Sequence, residues 1–338
     1  MDDFRDRYAR LVAAFDGRGQ ETFDASWLAT DAKVLSDDAD STWLRVQARA
    51  LAAAARAVGA VEGDRTALET IVDAPLPPSD EMVLSRLKEL LPSGNSLADR
   101  LAIHDAGMHI RSETLRPAAE RLLHVLRQRA HEDLDLPSDE TLALAIVDGP
   151  AGGWRARLEP ARLILNGSVA WTADRLLRAI SSEGYPGRHL AQLMRSPVPE
   201  WRPSPETTVE FGLAAVGREV LMADFEFAHE LGRIGRSAGL AWDGHRIIAV
   251  RRALDDLAPE FAAAALASVE SRLPELGVDP RIRWRDPLAR ATSLARAAGP
   301  PLARAWLETT GQTIGLQRLL SERLVPTMLR AEIFDAGG

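Results

Sequence analysis

Apolar side chains recur at helical spacing from the first residues of the chain. Phe4, Tyr8, Leu11, Val12 and Phe15 fall at offsets of 0, 4, 7, 8 and 11, one face of a helix that stops before Gly17. The same period predicts a helix from a cap at Asp40 or Ser41 to Gly59, and others over 64–73, 80–91 and 96–111. Pro117 suits the first position of a further helix reaching His131, because its missing N–H would have no partner there. PLPPSD at 75–80 and LPSGNS at 91–96 are the clearest breaks. From 141 the period changes. TLALAIVD, the turn GPAGG and WRARLEPARLILNGS are short apolar runs separated by glycine and proline, which predicts a small antiparallel sheet. Helical spacing returns after Trp171 and predicts helices over 172–195, 206–238, 243–257, 259–273, 286–298 and 300–331, interrupted by the four prolines of RSPVPEWRPSPE. The expected fold is mainly α. It is one compact domain, in which a helical part over 1–140 joins a part over 141–338 that carries the sheet and a central helix.

Composition narrows the chemistry. Hydrophobic residues are 46% and charged residues 27% of the 338, a globular rather than a disordered balance. The absence of cysteine removes disulfides, thiol catalysis and cysteine-ligated metal sites. A net charge of -8 without any basic run argues against nucleic acid as a partner. No apolar stretch reaches the roughly 18 residues of a membrane span, and the acidic, amphipathic start MDDFRDRYAR does not resemble a signal peptide. These features lead to the expectation of a cytoplasmic protein without membrane contact, compatible with a homo-oligomer. The 39 arginines against two lysines, Lys33 and Lys88, read as a coding bias.

One segment carries chemical information. SSEGYPGRHLAQL at 181–193 resembles the H-E-x-x-P-G-H-H signature of a family of large, all-helical zinc metallopeptidase-like proteins of the gluzincin type, distant relatives of the Taq carboxypeptidases. Trp154 and LILN at 163–166 are similar to a turn and strand that precede the motif in that family. TTVEFGLAAVGREVL at 207–221 resembles its E-G-[IL]-A helix, and RWRDPLARA at 283–291, Gly299 and LQRLLSERLVPTML at 316–329 resemble its closing segments. The likeness spans roughly 140–330, with a weaker one near 94–124. It implies a helical metallopeptidase-like domain with the small sheet beside the motif helix.

The resemblance also implies three zinc ligands, an opening His, a His at the end of the motif and a downstream Glu, with the Glu after the opening His as base. Carried over position by position, the opening His is Ser182, the base is Glu183, and Arg188 and His189 stand where the family has two His. Phe211, before Gly212-Leu213-Ala214, occupies the place of the ligand Glu. Glu210 is one position away, about 100° around a helix. A hydroxyl and a phenyl ring cannot replace imidazole and carboxylate, and Arg188 adds a fixed charge that opposes a cation. No metal and no cofactor are therefore expected. Such peptidases often supply a transition-state Tyr from the C-terminal half; the only tyrosines are Tyr8 and Tyr185, and the segment before Gly299 reads SLARAAG, without one.

Two functions remain as alternatives. In one, the chain is a repurposed, metal-independent enzyme: Glu183 is the general acid or base and His189 its complement, while Arg188, Tyr185, Phe211 and Trp154 bind a small carboxylate- or peptide-like substrate. In the other, it is a non-catalytic pseudo-peptidase that uses the old groove to bind a ligand or partner. Plainer roles stand beside these: Arg188 as an ion-pair partner of Glu183, His189 as a hydrogen-bonded semi-buried residue, and Tyr185-Pro186-Gly187 as a helix break. If Phe211 fills the vacated metal space, burial should raise the pKa of Glu183 unless Arg188 cancels the shift. His229-Glu230 opens like HExxH, but the fifth residue is Arg233. Trp171, Trp201, Trp242, Trp284 and Trp306 suit core or rim positions.

Overall fold

In the computed structural model the described residues are 2–19, 23–59, 64–80, 82–150, 154–267 and 286–337. Trp284, the last three residues of GPAGG, the end of the predicted 259–273 helix and the start of RWRDPLARA lie outside them. Helix α1 (Asp2–Asp16) buries Tyr8, Leu11, Val12 and Phe15, the face that the spacing predicts. Helix α2 (Ala25–Asp38) is not anticipated by the periodicity. Its inward face is Leu28, Ala29, Ala32 and Leu35, half of it alanine, while Trp27 and Val34 point outward. It lies along α3 (Thr42–Gly59), whose alanines let the two backbones approach. Asp64 caps α4 (Arg65–Val72) by accepting from Ala67 N. The core of this layer is completed by Trp201 and by Leu288, Ala291, Leu294 and Ala295 from far along the chain.

After α5 (Val83–Leu90) and α6 (Leu97–Gly107), the two-residue strand β1 (His109–Ile110) interrupts what the sequence predicts as helix to 111. Helix α7 (Ser112–Asp133) then begins five residues before Pro117, which sits inside it. The sheet that follows is β2 (Ala143–Val147), β3 (Ala156–Glu159) and β4 (Arg162–Asn166), in the order β2-β4-β3. The β3–β4 pair is antiparallel and β2–β4 is parallel, so this sheet is mixed rather than wholly antiparallel. Strand burial accounts for the order. Leu163, Ile164 and Leu165 are buried, whereas β3 is charged, so β4 takes the centre and β2 pairs with it in the same direction. A second, antiparallel sheet joins β1 to β5 (Trp171–Thr172).

The rest is helical: α8 (Ala173–Glu183), α9 (Arg188–Met194), α10 (Pro205–Leu221), α11 (Asp224–Ser237), α12 (Gly244–Asp256), α13 (Ala258–Ala267), α14 (Pro287–Thr310), α15 (Gln312–Ser321) and α16 (Pro326–Gly337). The predicted 206–238 helix is split at Met222-Ala223 into α10 and α11. Helix α14 instead continues through Gly299-Pro300-Pro301, where the sequence suggests a stop. Gly299 serves a crossing: a Cβ there would lie 2.2 Å from Thr208 O, and one on Gly212 would lie 2.8 Å from Gly299 O. Only glycines allow α10 and α14 to meet this closely. The largest apolar cluster links α7, both sheets, α8, α10 and the C-terminal helices. No helix among the described residues is long and apolar enough to cross a membrane.

Candidate functional site

The motif segment is two helices. Between Glu183, the last residue of α8, and Arg188, the first of α9, Gly184, Tyr185, Pro186 and Gly187 turn the chain. A Cβ on Gly187 would lie 2.1 Å from Ser182 O, and Pro186 wedges so closely on α10 that a Cβ on Gly217 would be 2.7 Å from its Cγ. The break therefore fixes where residues 185, 188 and 189 point.

Tyr185 and His189 turn to the same carboxylate, Glu140, in the loop before β2. Glu140 is 3% exposed. Its Oε1 accepts from the Tyr185 hydroxyl and lies 2.7 Å from His189 Nε2. Its Oε2 is 2.9 Å from His131 Nε2 and 3.1 Å from Arg127 Nε, which also donates from Nη2 to the Glu140 carbonyl. Burial alone would raise the Glu140 pKa. The hydrogen bonds from Tyr185, His189 and His131 and the charge of Arg127 outweigh it and bring the value down to about 2. The Tyr185 hydroxyl is pushed up by burial and by its bond to this carboxylate. His189 and Tyr185 thus tie the motif to the loop before the sheet, and neither lines the cavity that Glu183 faces.

That cavity, of about 850 Å³, opens between α8, α10, α12 and α14. Helix α10 presents Phe211, Ala214, Ala215, Arg218 and Glu219 to it at helical spacing. Helix α8 contributes Asp174, Arg175, Arg178, Ser182 and Glu183; α12 adds Ile248, Arg251, Arg252 and Asp255; α14 adds Arg296, Pro300 and Arg304. Trp154 and Phe261 complete an aromatic wall with Phe211. Glu183, Phe211 and Trp154 share this cavity. Arg188 instead lines a smaller one of about 370 Å³ together with Glu210 and Arg195. Its Nη1 is 3.8 Å from Glu183 Oε2, a loose ion pair between the two cavities. Of the two residues left open at the position that the resemblance implies for a ligand Glu, Phe211 lines Glu183's cavity, and Glu210 is held at 2.6 Å by Arg202.

Glu183 Oε2 is buried without a hydrogen bond among the described residues. Desolvation raises its pKa, and the charges of Arg188 and Arg202 offset this only in part. The carboxyl can thus exchange a proton closer to neutrality than a solvated Glu.

Arginine dominates the cavity wall. Eight arginines and five carboxylates line it among the described residues. Arg251 chelates Asp255 and lies 3.9 Å from Asp174, Arg175 is 2.8 Å from Asp105, and Arg218 is 2.8 Å from Asp224 while its Nη1 stays buried without a hydrogen bond. Glu219 is shared by Arg218, Arg252 and Arg304 at 3.4 to 3.6 Å. Arg296 stacks over the Phe211 ring, 5.1 Å from its centroid. The Arg178 guanidinium is half-buried and makes no hydrogen bond or ion pair within 4 Å among the described residues, although Asp255 and Asp174 act on it at longer range. Burial, and then the charges of Arg251 and Arg296, lower its pKa to about 9, so it remains cationic at neutral pH. Sequence reasoning missed these arginines and Glu140. The available signal was positional: 175 and 178, and 296 and 304, each fall on one helical face.

The residues at the implied zinc positions do not fit a zinc ion. The Ser182 hydroxyl is 3.5 Å from Ala179 O, Phe211 offers a ring, Arg188 a cation, and His189 is committed to Glu140. Among the described residues no three His, Asp or Glu side chains are grouped to hold a metal. What the cavity offers is a cationic wall, an aromatic wall and two carboxyls, Glu183 and Asp105, whose pKa burial raises. Comparison with protein-family models, with curated proteins and with solved structures finds no match to this chain.

Proposed function

We propose that the chain is a metal-independent binding module on a metallopeptidase-like helical scaffold, taking a small anionic ligand into the cavity between α8, α10, α12 and α14. The observation that carries this reading is Arg178, a half-buried guanidinium that makes no ion pair within 4 Å among the described residues and feels Asp255 and Asp174 only at longer range, in a wall already rich in arginine. Shielded charges are ordinarily paired, and a ligand carboxylate or other oxyanion would supply the missing partner with charge-assisted hydrogen bonds. The test is titration calorimetry of the full chain with succinate, citrate and a dipeptide carrying a free C-terminus, at constant ionic strength. Saturable binding of at least one of them, weakened by Arg251→Gln, supports the reading. Heats indistinguishable from dilution for every anion tried would remove it.

Glu183 favours a second reading, in which the module is also a metal-independent enzyme. Its buried, unbonded Oε2 and raised pKa suit a general acid or base acting on the bound ligand. It would act without His189, whose Nε2 is engaged by Glu140. Glu183→Gln keeps the shape and removes the proton chemistry. Under this reading turnover of a substrate is lost while its binding persists; full activity in the variant would rule the reading out.

A further inference from the structure

Which anion the cavity takes is decided by the number and direction of its cations. A carboxylate is planar, carries one charge and can be satisfied by a single guanidinium fork. The cavity offers more than that. Arg178 reaches it from α8, Arg251 from α12 and Arg296 from α14, so cationic donors come from three helices rather than from one edge. Arg251 is held in place by Asp255, with its Nη1 no closer than 3.9 Å to Asp174, so its fork is pre-positioned and not fully used. Arg218 adds the buried, unbonded Nη1 described above. A group with oxygens pointing in several directions and two negative charges matches such a cradle; a monocarboxylate would leave part of it unsatisfied. Beside the cations, Trp154, Phe211 and Phe261 provide apolar surface for an organic body.

Resting on the anion-binding reading above, we infer that the ligand is an organic phosphate monoester, its phosphate held among Arg178, Arg251 and Arg296 and its organic part against the aromatic wall. Phosphate presents three terminal oxygens and up to two charges, enough to engage Arg178 and the free edge of Arg251 together. The alternative of a purely inorganic anion leaves the three aromatic side chains unused.

The test is calorimetric titration of the full chain, at constant ionic strength and neutral pH, with phenyl phosphate, inorganic phosphate and benzoate. Phenyl phosphate should bind about tenfold or more tightly than either of the others, since it alone carries both the dianion and the ring. Arg178→Gln should weaken phenyl phosphate about tenfold. The Arg178 guanidinium has no hydrogen bond to lose among the described residues, and the three-probe comparison on the unaltered protein stands even if a variant fails to fold. Benzoate binding as tightly as phenyl phosphate would overturn the phosphate assignment while leaving an anion site in place. Inorganic phosphate matching phenyl phosphate would overturn the organic part. No binding of any of these anions would overturn this inference and the anion-binding reading together.

Discussion

His189 Nε2 lies 2.7 Å from Glu140 Oε1, and this contact, rather than one with Glu183, sets what the motif residue does. The same oxygen accepts from Tyr185, so two residues of the Tyr-Pro-Gly-Arg-His segment are spent on anchoring α9 to the loop before β2. The motif is a structural clamp on one side and a cavity wall on the other.

Glu140→Gln should therefore destabilise the fold strongly. The amide cannot serve Tyr185, two histidines and Arg127 at once, and breaking a buried charged network costs about 3 kcal/mol. Urea unfolding at pH 7 measures it. A variant as stable as the parent would show that the clamp is dispensable.

The pH dependence of that difference has a defined sign. The folded pKa of Glu140, about 2, lies below the ordinary 4.5. Its carboxylate thus contributes in full above about 4.5, and the contribution is lost as the pH falls from there towards 2. The stability gap between the parent and Glu140→Gln should accordingly be widest above pH 5 and close progressively below it, read from urea midpoints at a series of pH values. A gap that widens on acidification contradicts the assignment.

Glu183 behaves in the opposite sense. Its raised pKa means that the folded state holds its proton more readily than the unfolded chain, so ionised Glu183 opposes folding as the pH rises above 4.5. Glu183→Gln should be as stable as the parent at pH 7 or more so, with the advantage fading below pH 4.5. A loss beyond about 1 kcal/mol would instead make the 3.8 Å approach to Arg188 a structural strut.

How far the sequence reaches is visible in particular residues. The face of α1 is legible because Tyr8, Leu11, Val12 and Phe15 are large and regularly spaced. Helix α2 is not, because half its inward face is alanine, which carries little periodic signal. Strands over 141–166 are legible from their apolar runs, but the parallel β2–β4 pairing is not, since strand order depends on which strand is most buried. At the site, Glu183 and Phe211 are placed by position in the motif. Glu140 escapes notice as one acid in a polar loop, and the arginine wall is hidden among 39 arginines because its members come from separate helices.

The crossing of α10 and α14 gives a test of what holds the cavity open. Gly299→Ala places a Cβ 2.2 Å from Thr208 O, so the helices must part. Overpacking of this kind costs about 2 kcal/mol. Because Phe211 and Arg296 lie beside the crossing, the same substitution should weaken anion binding. Thermal unfolding and calorimetry on one sample check both effects.

The central claim, an anion site among arginines from α8, α12 and α14, is tested most directly by locating an anion. Crystals of the full chain soaked in tungstate, a tetrahedral dianion with strong anomalous scattering, should give an anomalous difference peak within hydrogen-bonding reach of Arg178 and Arg251, and Arg178→Gln should remove it. Peaks confined to other arginines, with none in the cavity beside Phe211, would contradict it.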